Sequence, residues 1–231
     1  MAVGKEQTME KTTGRPQPFG AAVEQNRINF SVQVPKGKPC ALLLYRKGKM
    51  QPAVRFEMPE EDGIGEVRFL AVEGIDAGKY EYNFEINGKV TIDPYVREIT
   101  GKKVFGRERD LSAHEIRGKL VSSEYDWEDD KRLHLRWDEV VAYSLHVRGF
   151  TKHSSSKARH KGTYLGVVEK LPYLKELGIN QIQCMPVYEF EDCKKGKINY
   201  WGYGPAYYFA PKEAYAAGDS AVRELKDMVR S

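Results

Sequence analysis

Cysteine is scarce in this chain: Cys40, Cys184 and Cys193 are the only three among 231 residues. The number is odd and no Cys-x-x-Cys pair occurs, which argues against a disulfide framework or a zinc site. Cys40 and Cys184 fall in apolar runs, where cysteine behaves as a small hydrophobe, while Cys193 falls in a charged stretch. No apolar run approaches the roughly 20 residues of a membrane span, so no membrane partner is expected. Met1 to Pro18 is polar and charged and lacks the apolar core of a signal peptide. It reads as a flexible leader over 1–17, and a cytoplasmic, reducing setting follows. Charge of one sign is also lacking: 37 basic residues against 33 acidic give +4, spread along the chain. The densest basic patches, Lys152 to Lys161 and Lys194 to Lys197, accompany no nucleic-acid motif; they read as solvated loops with no nucleic-acid partner.

The 41% hydrophobic and 30% charged residues fit a globular chain large enough for one big domain or two ordinary ones. Residues 18–100 carry a β pattern. Ile28, Phe30, Val32 and Val34 alternate with Asn29, Ser31 and Gln33, the period of a half-buried strand. Cys40 to Tyr45 and Val67 to Val72 are continuous apolar runs. Tyr80, Tyr82, Phe84 and Ile86 alternate with polar residues up to Asn87-Gly88, a hairpin signal because both turn positions favour positive φ. Short strands separated by Gly, Pro and Asp predict a β-sandwich ending near Asp93. Its alternating aromatics are assigned to the core, and without tryptophan the sandwich is a poor platform for sugar stacking. Residues 101–138, with isolated Leu111 and Val121, read as a charged connecting segment pinned by Trp127 and Trp137, its carboxylates Glu124, Asp129 and Asp130 solvated.

From residue 139 the period changes. Val140 to Val147 is a strand candidate, and Leu165, Val168, Leu171, Leu174 and Leu177 recur at helical spacing. Pro172 kinks that helix or marks its first turn, and Gly178 ends it. Ile179 to Met185 forms the next strand, stopped by Pro186. Val222, Leu225 and Val229 line a last helix capped by Asp219 or Ser220. Strand, helix, strand, helix implies parallel pairing with a right-handed crossover. In parallel barrels the site lies at the carboxyl ends of the strands. Here those ends are His146 to Thr151 and Met185 to Tyr203, the second rich in aromatic rings. His146 and Arg148 are strand-end polar residues, His146 more in keeping with a structural role. Glu189, Glu191 and Asp192 form an acidic cluster assigned to solvent, because adjacent loop carboxylates lack the opposed geometry of a glycosidase pair.

Y-S-L-H-V-R-G-F-T (Tyr143 to Thr151), E-K-L-P-Y-L-K-E-L-G-I-N, M-P-V-Y-E-F, N-Y-W-G-Y (Asn199 to Tyr203) and Y-F-A-P-K in succession resemble the pullulanase and isoamylase type of debranching enzyme, in the α-amylase superfamily, glycoside hydrolase family 13. The upstream segment, from Pro18-Phe19-Gly20-Ala21 to Asp93-Pro94-Tyr95 and Phe105-Gly106, is similar to the N-terminal domain of that family, of the carbohydrate-binding module 48 kind. The resemblance implies a multi-domain fold: an N-terminal immunoglobulin-like β-sandwich followed by the first βα units of an incomplete (β/α)8 TIM barrel over 139–231. It implies an α-glucan partner and hydrolysis of α-1,6 bonds by a retaining mechanism in which one carboxylate forms a glycosyl-enzyme and a second acts as acid and base. No cofactor and no metal-ligating residue are expected from the residues themselves. Those carboxylates belong to later barrel strands, so the chain is expected to carry no catalytic residue, to be an N-terminal fragment, and to be inactive alone. The family's stacking tyrosine falls on Tyr203, with Asn199, Tyr200 and Trp201 in the same substrate-binding loop. A non-catalytic α-glucan-binding module, or a subunit meeting the missing barrel portion in trans, is the alternative.

Overall fold

The computed structural model describes residues 9–110 and 115–231, so residues 1–8 of the expected leader, and Leu111 of the expected connector, lie outside the described residues. The chain forms two compact units, 1–101 with 110–123, and 102–109 with 124–231. Among the described residues no helix is long and apolar enough to cross a membrane.

The first unit holds β1 (Glu10–Thr12), β2 (Gly20–Val23), β3 (Arg27–Gln33), β4 (Cys40–Arg46), β5 (Val54–Glu57), β6 (Val67–Glu73), β7 (Tyr80–Ile86), β8 (Lys89–Thr91), β9 (Ile99–Thr100) and β10 (Arg117–Lys119). One sheet runs β1-β6-β3-β2 and the other β5-β4-β7-β10-β9, with β8 also on β7. Ile28, Phe30, Val32, Leu70 and Val72 of the first sheet pack on Leu42, Leu44, Tyr82 and Phe84 of the second, which is a β-sandwich. Tyr82 lies edge-on to both Phe30 and Phe84, so the alternating aromatics fill the core as expected. Asn87 and Gly88 take φ of 51° and 74°, the primed turn that the Asn-Gly pair predicts.

The leader differs from expectation. β1 pairs with β6, and the backbone of Arg15 is gripped on both sides by Asn29, whose Oδ1 accepts Arg15 N–H at 2.7 Å and whose Nδ2 donates to Arg15 O at 3.0 Å. Ser31 Oγ donates to Pro16 O at 2.7 Å. Asn29 and Ser31 are therefore buried on the face that simple alternation assigns to solvent. Gly14 permits this strap, since a Cβ there would stand 2.4 Å from the Leu70 carbonyl carbon. The connector also differs: β10 is a strand between β7 and β9, and 102–109 belongs to the second unit. Trp137 is 91% exposed and pins nothing, whereas Tyr125 packs edge-on to Trp127 and donates to Asp227 at 2.6 Å.

The second unit holds β11 (Ala142–Leu145), α1 (Val147–Lys152), α2 (Tyr164–Val168), α3 (Leu171–Glu176), β12 (Gln181–Cys184), β13 (Tyr188–Phe190), β14 (Cys193–Lys194), β15 (Lys197–Ile198), β16 (Ala206–Pro211) and α4 (Ala221–Arg230). β11 and β12 are parallel, in register from Ala142 with Gln181 to Leu145 with Cys184. The leucine-spaced segment is two short helices, with Pro172 in the first turn of α3, where its missing N–H costs nothing, and Gly178 at φ 82° beyond its end. Ser220 caps α4 by accepting from Arg223 N–H. The inward face of α4 is Ala221, Glu224, Leu225 and Met228, while Val229 is exposed, a shift from the expected stripe. Glu224 tolerates burial because its carboxylate accepts the backbone N–H groups of Ala217 and Gly218.

Asp93, 1% exposed, supplies the sandwich with a pH dependence. Burial pushes its carboxyl up to about 6 against the hydrogen bonds from Tyr82 O–H and Tyr95 N–H, which pull it down. A raised folded-state value means the native state binds the extra proton between 3.8 and about 6, so stability falls as pH rises through that window and is level above it. The drop is about 3 kcal/mol at most. Hydrogen exchange of the β3 and β7 amides from pH 4 to 7 reads it, and D93N is expected to remove most of the slope.

Candidate functional site

The carboxyl ends of β11 and β12 lead into the segments that carry the candidate residues. His146 follows β11 and caps α1: its Nδ1 accepts Gly149 N–H at 2.9 Å. Nδ1 is thus the acceptor and the neutral ring carries its proton on Nε2, which lies 2.9 Å from Tyr200 O and 3.1 Å from Tyr215 Oη. The imidazole stacks on the Tyr200 ring, centroids 4.4 Å apart and planes within 12°. Both nitrogens are engaged, in keeping with the structural role expected of this histidine. Gly149 is needed in this turn because a Cβ would stand 2.8 Å from the Tyr200 hydroxyl.

Beyond β12 the chain builds two small hairpins. β13 pairs with β16, and β14 with β15 inside the intervening loop. Asn199 is tied at both ends, its N–H donating to Asp192 O at 3.0 Å and its Oδ1 accepting from Gly202 N–H at 3.1 Å. Gly202 sits at φ 87° with the Phe190 ring so close that a Cβ would fall 2.4 Å from it. Of the candidate residues, Trp201 and Tyr203 face solvent at 54% and 66% exposure. Tyr200 instead turns inward, edge-on to Phe105 at 6.0 Å and to Trp201 at 5.4 Å. Four adjacent residues thus divide into a hydrogen-bonded anchor (Asn199), a packed ring (Tyr200) and two presented rings (Trp201, Tyr203).

Beneath this loop lies a charge cluster that differs from expectation. Glu189 and Asp192 are fully buried rather than solvated. Lys212 Nζ donates to Glu189 Oε1 at 2.7 Å and to Phe190 O at 3.0 Å, and forms an ion pair with Asp192 Oδ2 at 2.8 Å. Glu189 Oε2 accepts Glu213 N–H at 2.8 Å. Lys102 adds a second ammonium, 3.1 Å from Phe190 O, 3.6 Å from Glu189 and 3.5 Å from Glu191. Rings seal the cluster: Lys212 Nζ is 4.4 Å from the Phe190 centroid, and Phe105 stacks on Tyr215 at 6.2 Å. Arg148, the other strand-end candidate, lays its guanidinium 4.7 Å over Phe105. Sequence reasoning missed Lys102 and Lys212. The available signal was a lysine closing an apolar run, Y-F-A-P-K, downstream of the carboxylates of E-F-E-D.

No protein-family profile matches the chain. Isoamylase 1, chloroplastic, of Arabidopsis thaliana is 32% identical over 94% of this chain and 32% of its own length. The glycogen operon protein GlgX homolog of Haemophilus influenzae is 33% identical over 94% of this chain and 36% of its own length. The chain spans about a third of the length of the curated relatives it matches. Among solved structures, pullulanase type I of Bacillus subtilis, complexed with maltose, superposes with a TM-score of 0.72 at 26% identity, over 94% of this chain and 32% of that one.

Burial holds the His146 imidazole below its ordinary value, reinforced by the positive charge of Arg148, against the pull of the Tyr200 carbonyl. A lowered folded-state value means the unfolded chain takes up the proton first, so the contribution is complete above about 6.5 and is lost as pH falls below it. The protection of the Gly149 and Phe150 amides, after correction for the intrinsic pH dependence of exchange, is expected to fall from pH 7 to 5, and H146N to abolish most of that change. G202A is expected to destabilise the loop by about 1–3 kcal/mol through the Phe190 clash and the positive φ, read as lost protection of the Asn199 amide.

Proposed function

We propose that this chain, whose homologues are isoamylase-, GlgX- and pullulanase-type debranching enzymes, supplies the N-terminal β-sandwich and the opening βα units of a (β/α)8 barrel in an α-glucan debranching glycoside hydrolase. The reaction assigned to the whole enzyme is cleavage of α-1,6-glucosidic bonds with retention. The observation that carries this reading is the parallel β11–β12 pair, followed after β12 by a loop with Trp201 and Tyr203 exposed above a packed, charged base. A pyranose offers a flat C–H face, and a rigid exposed ring meets it with little loss of conformational freedom. Tyr203 is the stacking residue, Trp201 flanks it, and Asn199 and Tyr200 set the loop that carries both. The pullulanase type I of Bacillus subtilis was solved with maltose, which supports the same ligand class here.

The sandwich, 18–100, acts in this reading as a scaffold rather than a strong sugar platform: its large aromatics Tyr80, Tyr82 and Phe84 are buried. The 231 residues alone are assigned no hydrolytic activity, because the described residues contribute one parallel pair of the roughly eight strands a barrel needs. The remaining strands, in cis or in trans, bring the nucleophile and the acid/base. Unpaired cysteines at positions 40, 184 and 193 favour a reducing, cytoplasm-like compartment.

Titration of the 231-residue chain with maltotetraose, followed by tryptophan fluorescence, tests the binding half. Y203A and W201A are each expected to weaken affinity about tenfold, the loss of roughly one aromatic stack. Wild-type affinity in Y203A would remove the stacking role. Release of reducing ends from pullulan by this chain would overturn the assignment of catalysis to other strands.

A further inference from the structure

Lys212 is 0% exposed, yet its ammonium serves no secondary-structure ladder and caps no helix. Burying a cation and its counter-ions is costly, and a buried ion pair adds less stability than apolar packing of the same volume. A geometric role accounts better for such a group than a stabilising one. The geometry here leads in one direction. Lys212 Nζ holds Phe190 by its carbonyl at 3.0 Å and by its ring face at 4.4 Å. The Phe190 ring is the surface against which Gly202 is pressed, between Trp201 and Tyr203. The same ammonium holds Asp192 at 2.8 Å, and Asp192 O accepts the Asn199 N–H whose side chain closes the Gly202 turn. Two independent paths, each of a few contacts, join this buried charge to the pair of exposed rings.

We propose that Lys212 is a positioning residue for the glucan-facing loop: its ammonium, through Phe190 and Asp192, fixes the turn that presents Trp201 and Tyr203. Lys102 assists on Phe190 O and the Glu189 carboxylate from the opposite chain segment, but does not reach Asp192 in the contacts described. Lys212 touches no substrate in this arrangement. Its effect is on the population of the loop conformation competent to stack, so a ligand's apparent affinity falls in proportion to that population. The glucan part of the inference rests on the function proposed above, whereas the loop part stands without it.

The experiment compares wild type, K212M and D192N by amide exchange and by maltotetraose titration of the full 231-residue chain. In K212M the Asn199 and Gly202 amides are expected to exchange at least about tenfold faster, while the Leu174 amide of α3 and the Leu177 amide at its C-terminal cap hold their wild-type rates. Maltotetraose affinity is expected to fall by a similar factor. D192N leaves the Lys212–Glu189 pair in place and removes the charge that Asp192 offers the ammonium, which weakens only the Asp192 path, so it gives a folded comparison if K212M does not fold. Its expected effect is faster exchange at Asn199 and Gly202 with the rest of the unit unchanged. Wild-type exchange at Asn199 and Gly202 in folded K212M, or in D192N where K212M does not fold, overturns the proposal. So does uniform acceleration across the unit in D192N, which marks a merely structural role. If wild type itself does not bind maltotetraose, the function reading fails, and the positioning role is still decided by the exchange pattern.

Discussion

An ammonium with no access to water must be surrounded by oxygen atoms, and the second unit is organised around meeting that demand for Lys212. The oxygens come from Glu189, Phe190 and Asp192, a stretch too short to wrap a cation unless it leaves the direction of β12 and doubles back. The chain does this by pairing β13 with β16, which brings Lys212 alongside residues some twenty positions earlier. Breaking one partner of such a pair costs far more than the intact pair contributes, because an uncompensated charge is left in a dry site. The loop between the two hairpins is thus constrained from beneath. Its exposed rings inherit a fixed position from a group they do not touch.

The aromatic layer over the cluster has a related logic. Phe105, Phe190 and Tyr215 exclude water from the ion pairs and also offer ring faces to cations: Lys212 over Phe190 and Arg148 over Phe105. Phe105 comes from the 102–109 stretch, the same stretch that brings Lys102. That stretch supplies one charge and one ring to the same base. The histidine at the end of β11 then ties this base to the loop by stacking on Tyr200 and meeting its carbonyl. Three chain segments converge on residues that a linear reading separates by up to about a hundred positions.

The features legible in the sequence were those whose cause is local. The strands β3 and β7 with their inward apolar positions, the Asn-Gly turn, the proline within the first turn of α3 and Gly178 after it each depend on a residue and its near neighbours. The ordered succession of motifs also pointed to the isoamylase and pullulanase group, the enzymes among which the chain's homologues lie. What was not legible depends on distant partners. Asn29 and Ser31 look solvent-facing by period, and become buried because the stretch from Gly14 to Pro16 crosses over them. Glu189 and Asp192 look like loop carboxylates, and become interior because two lysines from far along the chain neutralise them. Trp137 shows the converse, an anchor by composition that finds no surface to pack on.

The same distinction separates the two halves of the candidate site. Tyr203 and Trp201 could be picked out as ring-bearing residues in a strand-end loop, since the stacking role proposed for them needs only exposure and a flat face. The rigidity proposed for them could not, because it is assigned to Lys212, which follows directly on the apolar strand β16. A stacking ring on a mobile loop would surrender part of its contact energy to ordering the loop on each binding event. In the role proposed for Lys212, the buried cluster meets that cost during folding, so the rings are in place before a ligand arrives. A buried pair that adds little stability of its own, yet holds the loop proposed to bind, fits a site preorganised at modest expense to the fold.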